Sequence, residues 1–535
     1  MVLGAALLVA CGGDSGAART GGVMVIAIPG DADILLPTVS QTATGRQVID
    51  RIFPRLAELD LSLNTIDDSS FTPSLARSWE HRDALTLVFR LDERARWQDG
   101  VPVTARDVAF TFGLYTDPEM GSSFAPNLAK IASVTAEDSL TVAFRFRRAY
   151  PEQLYDATYY LRTLPRHLLD TIPPARLASS AYARGPVGIG PFRFVRWTAG
   201  AEIVLDADSG FFLGRPLLDR LVWRIMPDAA SAVSALIAGE ADAIETIPLR
   251  DELERASRSP NLAVLPYPSP FLMFVVFNVR RPPFDNVALR RAIAMAVDRP
   301  TIAQSVFGPY VDVPIGPTTP MQWIGALPVR QIPFDTVAAG RALDSLGWRA
   351  GWAGPRTRQG RPLRFTLLVP TTSRVRQQGA VLLQAQLRAV GVDMQIQPVE
   401  FSVLEQRAGR GQFDAAFLSR SLEASPSGLV SDWSTGATIN HGGWVSTRFD
   451  SLVGAATTAT TRERATPLFQ AALERLNDEA PAIFLFAPRN NAVLHRRYGN
   501  VTIRPDGWLT TVREWSIPAD RRLPKDQVAA AAQVN

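Results

Sequence analysis

The hydrophobic pattern predicts several strands in the first third of the chain. Residues 22–28 form a short apolar run followed by Pro29-Gly30, which is typical of a buried strand that ends in a turn. Residues 85–91 and 140–146 instead alternate apolar and polar side chains, and strands of this kind bury one face of a sheet. The pattern therefore predicts both fully buried and half-buried strands.

Apolar residues at helical spacing predict three helices among and after these strands. The first begins after Thr104, which has Asp107 three residues later, as in a capping box. The second begins near residues 283–286, and the third ends at Gly391 and leads directly into an alternating segment at 392–396. A helix that feeds a strand in this way favours an α/β fold. The predicted core-facing residues of the second and third helices are Val287, Ile293, Ala296, Val297, Val381, Leu382, Ala385 and Leu387.

The length of the chain predicts more than one domain. At 535 residues it exceeds the ~250–300 residues near which a single hydrophobic core stops growing, so two or three domains are expected. Hydrophobic residues make up 46% and charged residues 20%, as in ordinary globular proteins. The 56 basic residues are balanced by 52 acidic ones and form no basic tract, which argues against a nucleic-acid partner.

The N-terminal segment predicts a lipid anchor. Residues 1–10 form a short apolar run, and Cys11, the one cysteine of the chain, follows directly. This arrangement resembles a bacterial lipobox, in which residues 1–10 are removed as a signal segment and Cys11 accepts a lipid. Residues 11–19 are small and polar and are predicted to form a flexible tether. The rest of the chain is then expected in the periplasm or at the cell surface, whereas the alternative interpretation of Cys11 is a buried free thiol.

Five segments of the chain carry sequence motifs. They read Pro-Ser-Leu-Ala-Arg-Ser-Trp at 73–79, Trp-Gln-Asp-Gly-Val-Pro-Val-Thr-Ala-Arg-Asp-Val at 97–108, Pro-Val-Gly-Ile-Gly-Pro-Phe at 186–192, Phe-Asn-Val-Arg-Arg-Pro-Pro-Phe-Asp at 277–285 and Arg-Arg-Ala-Ile-Ala-Met-Ala-Val-Asp-Arg at 290–299. Taken together and in this order, these segments resemble those of the family 5 extracellular solute-binding proteins, the dipeptide, oligopeptide and nickel type that serve ABC importers. Their glycines, prolines and aromatic residues also serve turns and cores, so the segments bear mainly on the fold.

The resemblance implies a fold of the α/β class, periplasmic-binding-protein-like type II, with two hinged lobes and an additional domain inserted in the first lobe. It also implies a monomeric protein that captures a small-molecule or peptide ligand and passes it to the permease subunits of an ABC transporter. The implied boundaries are 20–57, 185–277 and 488–535 for lobe I, 58–184 for the inserted subdomain, and 278–487 for lobe II.

The resemblance also points to residues of the ligand site. In peptide-binding members an aspartate of the second lobe pairs with the amino terminus of the ligand. Here residues 424–427 read Ala-Ser-Pro-Ser in place of the expected Asp-Pro-Asp. Glu423 is predicted to take that role, with Asp432 as the alternative, because a carboxylate forms strong hydrogen bonds with an ammonium group.

Six further residues are candidates for contact with the ligand. Trp433 and Trp444 are candidates for the cleft wall or, equally, for the core of lobe II. Arg420 is a candidate partner of a ligand carboxylate, although a surface arginine is the simpler interpretation. The remaining candidates, near the expected connections between the lobes, are Phe271, Met273 and Asn490.

Catalytic and metal chemistry find little support in the sequence. Gly-Asp-Ser-Gly at 13–16 lies in the predicted tether, too flexible for a catalytic triad, and His-Arg-Asp at 81–83 lacks the rest of a kinase loop. The four histidines have no metal-ligand spacing. We therefore predict no enzymatic activity, no cofactor and no metal site built by the protein. The alternatives are an extracytoplasmic hydrolase, a sensory receptor, and a binding protein for an oligosaccharide or for a chelated metal near His441.

Overall fold

A computed structural model describes residues 21–352 and 354–526 of the chain. The predicted signal segment, Cys11 and the whole predicted tether lie outside these residues. Over the described residues the chain forms twenty strands and sixteen α-helices. The strands are β1 (Val23–Ile28), β2 (Ala57–Leu59), β3 (Phe71–Pro73), β4 (Ala76–Asp83), β5 (Thr86–Leu91), β6 (Ile131–Ala136), β7 (Thr141–Phe146), β8 (Phe192–Thr198), β9 (Glu202–Ala207), β10 (Arg220–Ile225), β11 (Ala243–Ile244), β12 (Leu262–Pro268), β13 (Phe271–Phe277), β14 (Val311–Asp312), β15 (Thr357–Arg358), β16 (Arg361–Pro362), β17 (Arg364–Pro370), β18 (Asp393–Val399), β19 (Ala415–Ser421) and β20 (Ala482–His495). The helices are α1 (Ala43–Ile52), α2 (Ala105–Thr116), α3 (Ala125–Leu128), α4 (Gln153–Tyr159), α5 (Arg166–Leu169), α6 (Pro174–Leu177), α7 (Ala229–Ala238), α8 (Arg250–Ser257), α9 (Val287–Met295), α10 (Arg299–Phe307), α11 (Thr336–Ser345), α12 (Arg374–Ala389), α13 (Phe401–Gly409), α14 (Gly428–Trp433), α15 (Thr447–Thr458) and α16 (Arg462–Glu479). Within this part of the chain, no helix combines the length and the apolar character that a membrane span requires.

A large mixed sheet organises the molecule. Among the described residues it contains twelve strands, and its main path runs β18-β17-β19-β13-β20-β11-β1-β10-β9-β8. In one half, β1 pairs in parallel with β10 and β11. In the other half, β17 pairs in parallel with β18 and β19. Each half is therefore built like an α/β fold.

Strand β20 connects the two halves of the sheet. Its first part, beginning at Ala482, pairs with β13, and its second part, ending at His495, pairs with β12. Strand β13 follows β12 after Ser269 and Pro270, and its other edge pairs with β19. Two neighbouring strand segments thus pass from one half to the other, and residues beside them lie between the halves. The domain boundaries given above remain predictions.

Helices cover both faces of the second half of the sheet. On β13, Val275 and Phe277 pack into the cluster formed with α9, α10, α11 and α12. Phe274 and Val276 point the other way, into the cluster formed with α13, α14, α15 and α16. Burial on both faces explains why the whole strand is apolar. The fully apolar β1 is buried on both faces in the same way, as the sequence predicted.

A separate four-stranded antiparallel sheet lies in the predicted inserted subdomain, in the order β4-β5-β7-β6. The predicted alternating strands β5 and β7 are confirmed and pair with each other. The predicted start of α2 is also confirmed, since Asp107 Oδ2 accepts a hydrogen bond from Thr104 N at 2.8 Å.

The predicted core faces of α9 and α12 are partly wrong. Val287 is exposed at the first position of α9, although Ile293, Ala296 and Val297 are buried as predicted. On α12 Leu387 is buried as predicted. Val381 and Ala385 instead face solvent, and Leu383, which was not predicted, is buried. Three consecutive apolar residues at 381–383 fit more than one helical face, and contact with the sheet selects the face. The strand predicted after Gly391 is confirmed as β18.

Candidate functional site

Two cavities among the described residues meet between lobe I, the inserted subdomain and lobe II. Tyr160 and Ser421 line both, so the two cavities form one cleft. The first, here named the arginine cavity, measures about 480 Å³ and is lined by Arg46, Arg51, Arg55 and Arg162 among others. The second, here named the carboxylate cavity, measures about 750 Å³ and is lined by Glu152, Asp156, Glu423 and Asp432 among others. Both volumes lie in the ~300–1,000 Å³ range of ligand pockets.

Glu423 follows β19 and reaches the carboxylate cavity from lobe II. Its Oε2 accepts a hydrogen bond from the hydroxyl of Tyr160, which belongs to the inserted subdomain. The Glu423 side chain is exposed to the cleft, yet the burial produced by the surrounding walls raises the pKa of its carboxyl. Among the described residues no cation forms an ion pair with Glu423. It is therefore a carboxylate that a ligand ammonium group can reach.

A second contact joins the inserted subdomain to lobe II beside this cavity. Ser425 Oγ lies 2.8 Å from both carboxylate oxygens of Glu152. Glu152 is buried, and its pKa is raised chiefly by this burial. Next to it, Asp156 accepts hydrogen bonds from Lys130 Nζ at 2.8 Å and from the Tyr150 hydroxyl at 2.7 Å. The two sides of the carboxylate cavity thus touch through polar groups.

Two of the four arginines of the arginine cavity form ion pairs within the protein. Arg162 forms an ion pair with Asp50 at 2.7 Å, and Arg55 forms one with Glu58 at 2.8 Å. Burial opposes ionisation of Asp50, but the nearby guanidinium groups of Arg162, Arg55 and Arg51 together outweigh it and lower the pKa of Asp50 to about 2. The other two form no ion pair among the described residues. Arg51 donates to the carbonyl oxygen of Leu509, and the guanidinium carbon of Arg46 lies 5.8 Å from the ring centroid of Phe124.

Three of the predicted site residues face the cleft. Glu423 lines the carboxylate cavity, and Phe271 and Asn490 line the arginine cavity. Phe271 stands at the start of β13 with 47% of its surface exposed, and Asn490 lies on β20 opposite Tyr267. Phe271 and Asn490 thus lie where β13 and β20 pass between the two halves of the sheet. Their contact with a ligand remains a prediction.

The other four predicted residues do not line either cavity. Arg420 turns to His441, with Nη2 to Nε2 at 2.8 Å, because on β19 it points to the face opposite the cleft. Met273 is half-buried against the α9–α12 side of the sheet. Trp433 packs between phenylalanine rings, and Trp444 is only 2% exposed, so both indoles belong to the core of lobe II. Of the two alternatives left open for these tryptophans, their burial favours the core.

The sequence reasoning missed the aromatic wall that the inserted subdomain gives to the cleft. Tyr159 and Tyr160 follow one another at the end of α4, with ring centroids 5.1 Å apart. The sequence contains a signal for this wall, because four of the nine tyrosines of the chain lie within residues 150–160. They are Tyr150, Tyr155, Tyr159 and Tyr160. Aromatic residues concentrated in one short segment are typical of binding surfaces.

The chain matches the sequence profile of one known protein family. The sequence profile described as "Bacterial extracellular solute-binding proteins, family 5 Middle" matches residues 70–440. The chain is similar to the oligopeptide-binding protein AppA of Bacillus subtilis, with 24% identity over 510 residues that cover 94% of this chain and 92% of AppA. It is also similar to the probable di/tripeptide-binding protein 5 of Pseudomonas aeruginosa, with 26% identity over 526 residues that cover 92% and 94% of the two chains.

A solved structure confirms the predicted fold class. The crystal structure of the ABC transporter substrate binding protein CtaP from Listeria monocytogenes matches with a TM-score of 0.81. The match covers 93% of this chain and 100% of CtaP, at 21% sequence identity. The chain therefore has the type II periplasmic-binding-protein fold that the sequence motifs implied.

Proposed function

The chain belongs to the bacterial extracellular solute-binding proteins of family 5, and from this membership we propose that it captures a peptide and delivers it unchanged to the permease subunits of an ABC importer. The observation that carries the peptide assignment is Glu423, a carboxylate without a cationic partner among the described residues, facing a cavity of about 750 Å³. A peptide amino terminus supplies the ammonium group that this position lacks. The names of AppA and of the Pseudomonas protein agree with a peptide ligand.

Capture requires that the two lobes close over the ligand. In this proposal an equilibrium exists between open and closed forms, and the peptide shifts it through contacts that it makes only in the closed form. The contacts of Tyr160 with Glu423 and of Glu152 with Ser425 already join the two sides beside the cavity. A closed, ligand-loaded form is then what the permease recognises.

A chelated metal is a less suitable ligand for this cleft. His441, the histidine that the sequence left open for such a ligand, is bonded to Arg420 and does not line the arginine or the carboxylate cavity. Burial and the nearby guanidinium of Arg420 both lower the pKa of His441.

The test of the proposal is binding without turnover. The protein is incubated with a mixture of peptides of two to nine residues, separated from free peptide, and analysed by mass spectrometry under native and denaturing conditions. We expect bound peptides to be recovered with unchanged masses. Cleaved products in proportion to incubation time would favour the hydrolase, and failure to retain any peptide would overturn the peptide assignment.

We also propose that Cys11 carries a lipid that holds the protein at the membrane surface. The support is the apolar segment and the small residues that precede Cys11, together with the extracellular character of the family. In the native host, the wild-type protein is expected to partition into detergent and Cys11→Ser into the aqueous phase. Equal partitioning of the two forms would contradict the anchor.

A further inference from the structure

Glu245 lies at an edge of the large sheet, and α/β folds usually bind their ligands at such an edge. It comes directly after β11, which is parallel to β1, and β1 is parallel to β10. The carboxyl ends of these three strands therefore meet at one edge of the sheet, and such edges are the usual place for ligands in α/β folds. Glu245 lines the arginine cavity there, together with Gln47, Tyr267 and Asn490.

A chain of hydrogen bonds holds the Glu245 carboxylate in place. Trp223 Nε1 donates to Gln47 Oε1 at 3.2 Å, which directs the amide nitrogen of Gln47 away from the indole. That nitrogen, Nε2, donates to Glu245 Oε2 at 2.6 Å. The Tyr267 hydroxyl lies 3.4 Å from the other carboxylate oxygen, Oε1. Trp223 is fully buried, so the chain is anchored in the core of lobe I.

The carboxylate has neutral partners only. Both groups that donate to it are uncharged, and among the described residues no arginine or lysine forms an ion pair with Glu245. Burial raises the pKa of its carboxyl above the ordinary range. Removal of a carboxylate from water is costly unless a cation accompanies it, and unpaired ionisable groups that face a cavity are typical of functional sites.

We propose that Glu245 is a specificity-determining residue that binds a positively charged side chain of the peptide, so that the protein prefers ligands containing lysine or arginine. The inference rests on the proposed peptide function and adds the class of peptide. Glu423 lies in the adjoining carboxylate cavity and serves the amino terminus, whereas Glu245 stands in the arginine cavity, where it is available to a side chain. Two of the four arginines of that cavity, Arg55 and Arg162, are neutralised by ion pairs with Glu58 and Asp50.

The test uses matched peptides whose guest residue differs in charge. Alanine-based peptides of two to nine residues carry lysine, or norleucine, which has a similar length and no charge, at each position in turn. Their affinities are measured by titration calorimetry for the wild-type protein, for Glu245→Gln, and for Glu240→Gln. Glu240 is exposed and does not line the cleft, so it controls for the loss of one negative charge.

For at least one guest position, the wild type is expected to bind the lysine peptide about ten- to hundred-fold more tightly than the norleucine peptide. Glu245→Gln is expected to lose this preference while its affinity for the norleucine peptide stays the same, and Glu240→Gln is expected to keep it. A wild type without preference at any position, or a Glu245→Gln variant that retains the preference, would overturn the role of Glu245 and leave peptide binding itself intact. Binding of none of the peptides would overturn both proposals.

Discussion

Glu423 and Glu245 are two carboxylates of one cleft, and their different surroundings support the different roles proposed for them. Glu423 is exposed to the cavity and contacts the inserted subdomain through Tyr160. Glu245 is partly buried in lobe I and held by a neutral hydrogen-bond chain that begins at Trp223. Glu423 is suited to a cationic ligand group that reaches it as the lobes close. Glu245 is suited to a cationic ligand group that enters a preformed pocket.

The role of Glu423 predicts how affinity depends on the peptide amino terminus. Glu423→Gln is expected to weaken binding of a peptide with a free amino group by about ten- to hundred-fold, because a charge-assisted hydrogen bond is lost. Binding of the same peptide with an acetylated amino terminus is expected to be weak in both proteins. Calorimetry checks this, with Glu463→Gln at an exposed position of α16 as the control. An acetylated peptide that binds the wild type as tightly as the free one would exclude the assignment.

The buried charge of Glu245 predicts a pH-dependent gain in stability when it is removed. Because its pKa is raised in the folded state, the wild type loses stability as pH rises through that pKa, and it recovers this stability below the ordinary glutamate pKa. Ligand-free Glu245→Gln is therefore expected to melt a few degrees higher than the wild type at about pH 8, and the gap should shrink at about pH 5. Thermal melts at both pH values check this. A gap that is absent or that grows toward acid would contradict it.

At the scale of elements, the segment 186–192 packs against α1 within lobe I. Gly188 and Gly190 lie against the backbone of α1, and a Cβ added at Gly188 would stand 2.3 Å from the Ile52 carbonyl oxygen. Gly190 N also donates to that oxygen at 2.7 Å. Since α1 carries Gln47 and Arg51 toward the cleft, this close backbone contact fixes one wall of the site.

The close contact at Gly188 predicts that two glycine substitutions differ strongly in their effect on stability. Gly188→Ala is expected to destabilise the protein by about 3 kcal/mol, because backbone atoms must move apart. Gly113→Ala on α2 is the matched control, since no atom lies within 4 Å of its added Cβ. It is expected to leave stability unchanged or to raise it by up to about 1 kcal/mol through helix propensity. Urea unfolding measures both, and equal stability of the two variants would contradict the packing argument.

Prediction from the sequence succeeded where local pattern decides structure. The run of β1, the alternation of β5 and β7 and the Thr104 cap of α2 are local features, and all are confirmed. The side facing the sheet on α12 was mistaken, because residues 381–383 offer several apolar faces. The cleft depends on contacts between distant segments, such as Glu245 with Gln47 across 198 positions, and no local pattern reveals these.

At the scale of the whole molecule, the contact of Glu152 with Ser425 allows closure of the lobes to be tested separately from recognition of the ligand. It joins the inserted subdomain to lobe II, and Glu423 takes no part in it. If it forms only in the closed form, its loss weakens every ligand equally. Ser425→Ala is therefore expected to lower affinity about two- to ten-fold for all peptides and to leave the order of preference unchanged. Ser305→Ala, an exposed serine bonded within α10, is the control. A change in the order of preference would place Ser425 in the ligand contact instead.

The most direct test of the central claim is small-angle X-ray scattering from the protein alone and from the protein saturated with the tightest peptide of the panel. The account predicts that the radius of gyration decreases when the peptide is added, since two lobes connected by β13 and β20 close over it. An identical scattering profile in both states, with peptide shown to be bound, would contradict capture by closure.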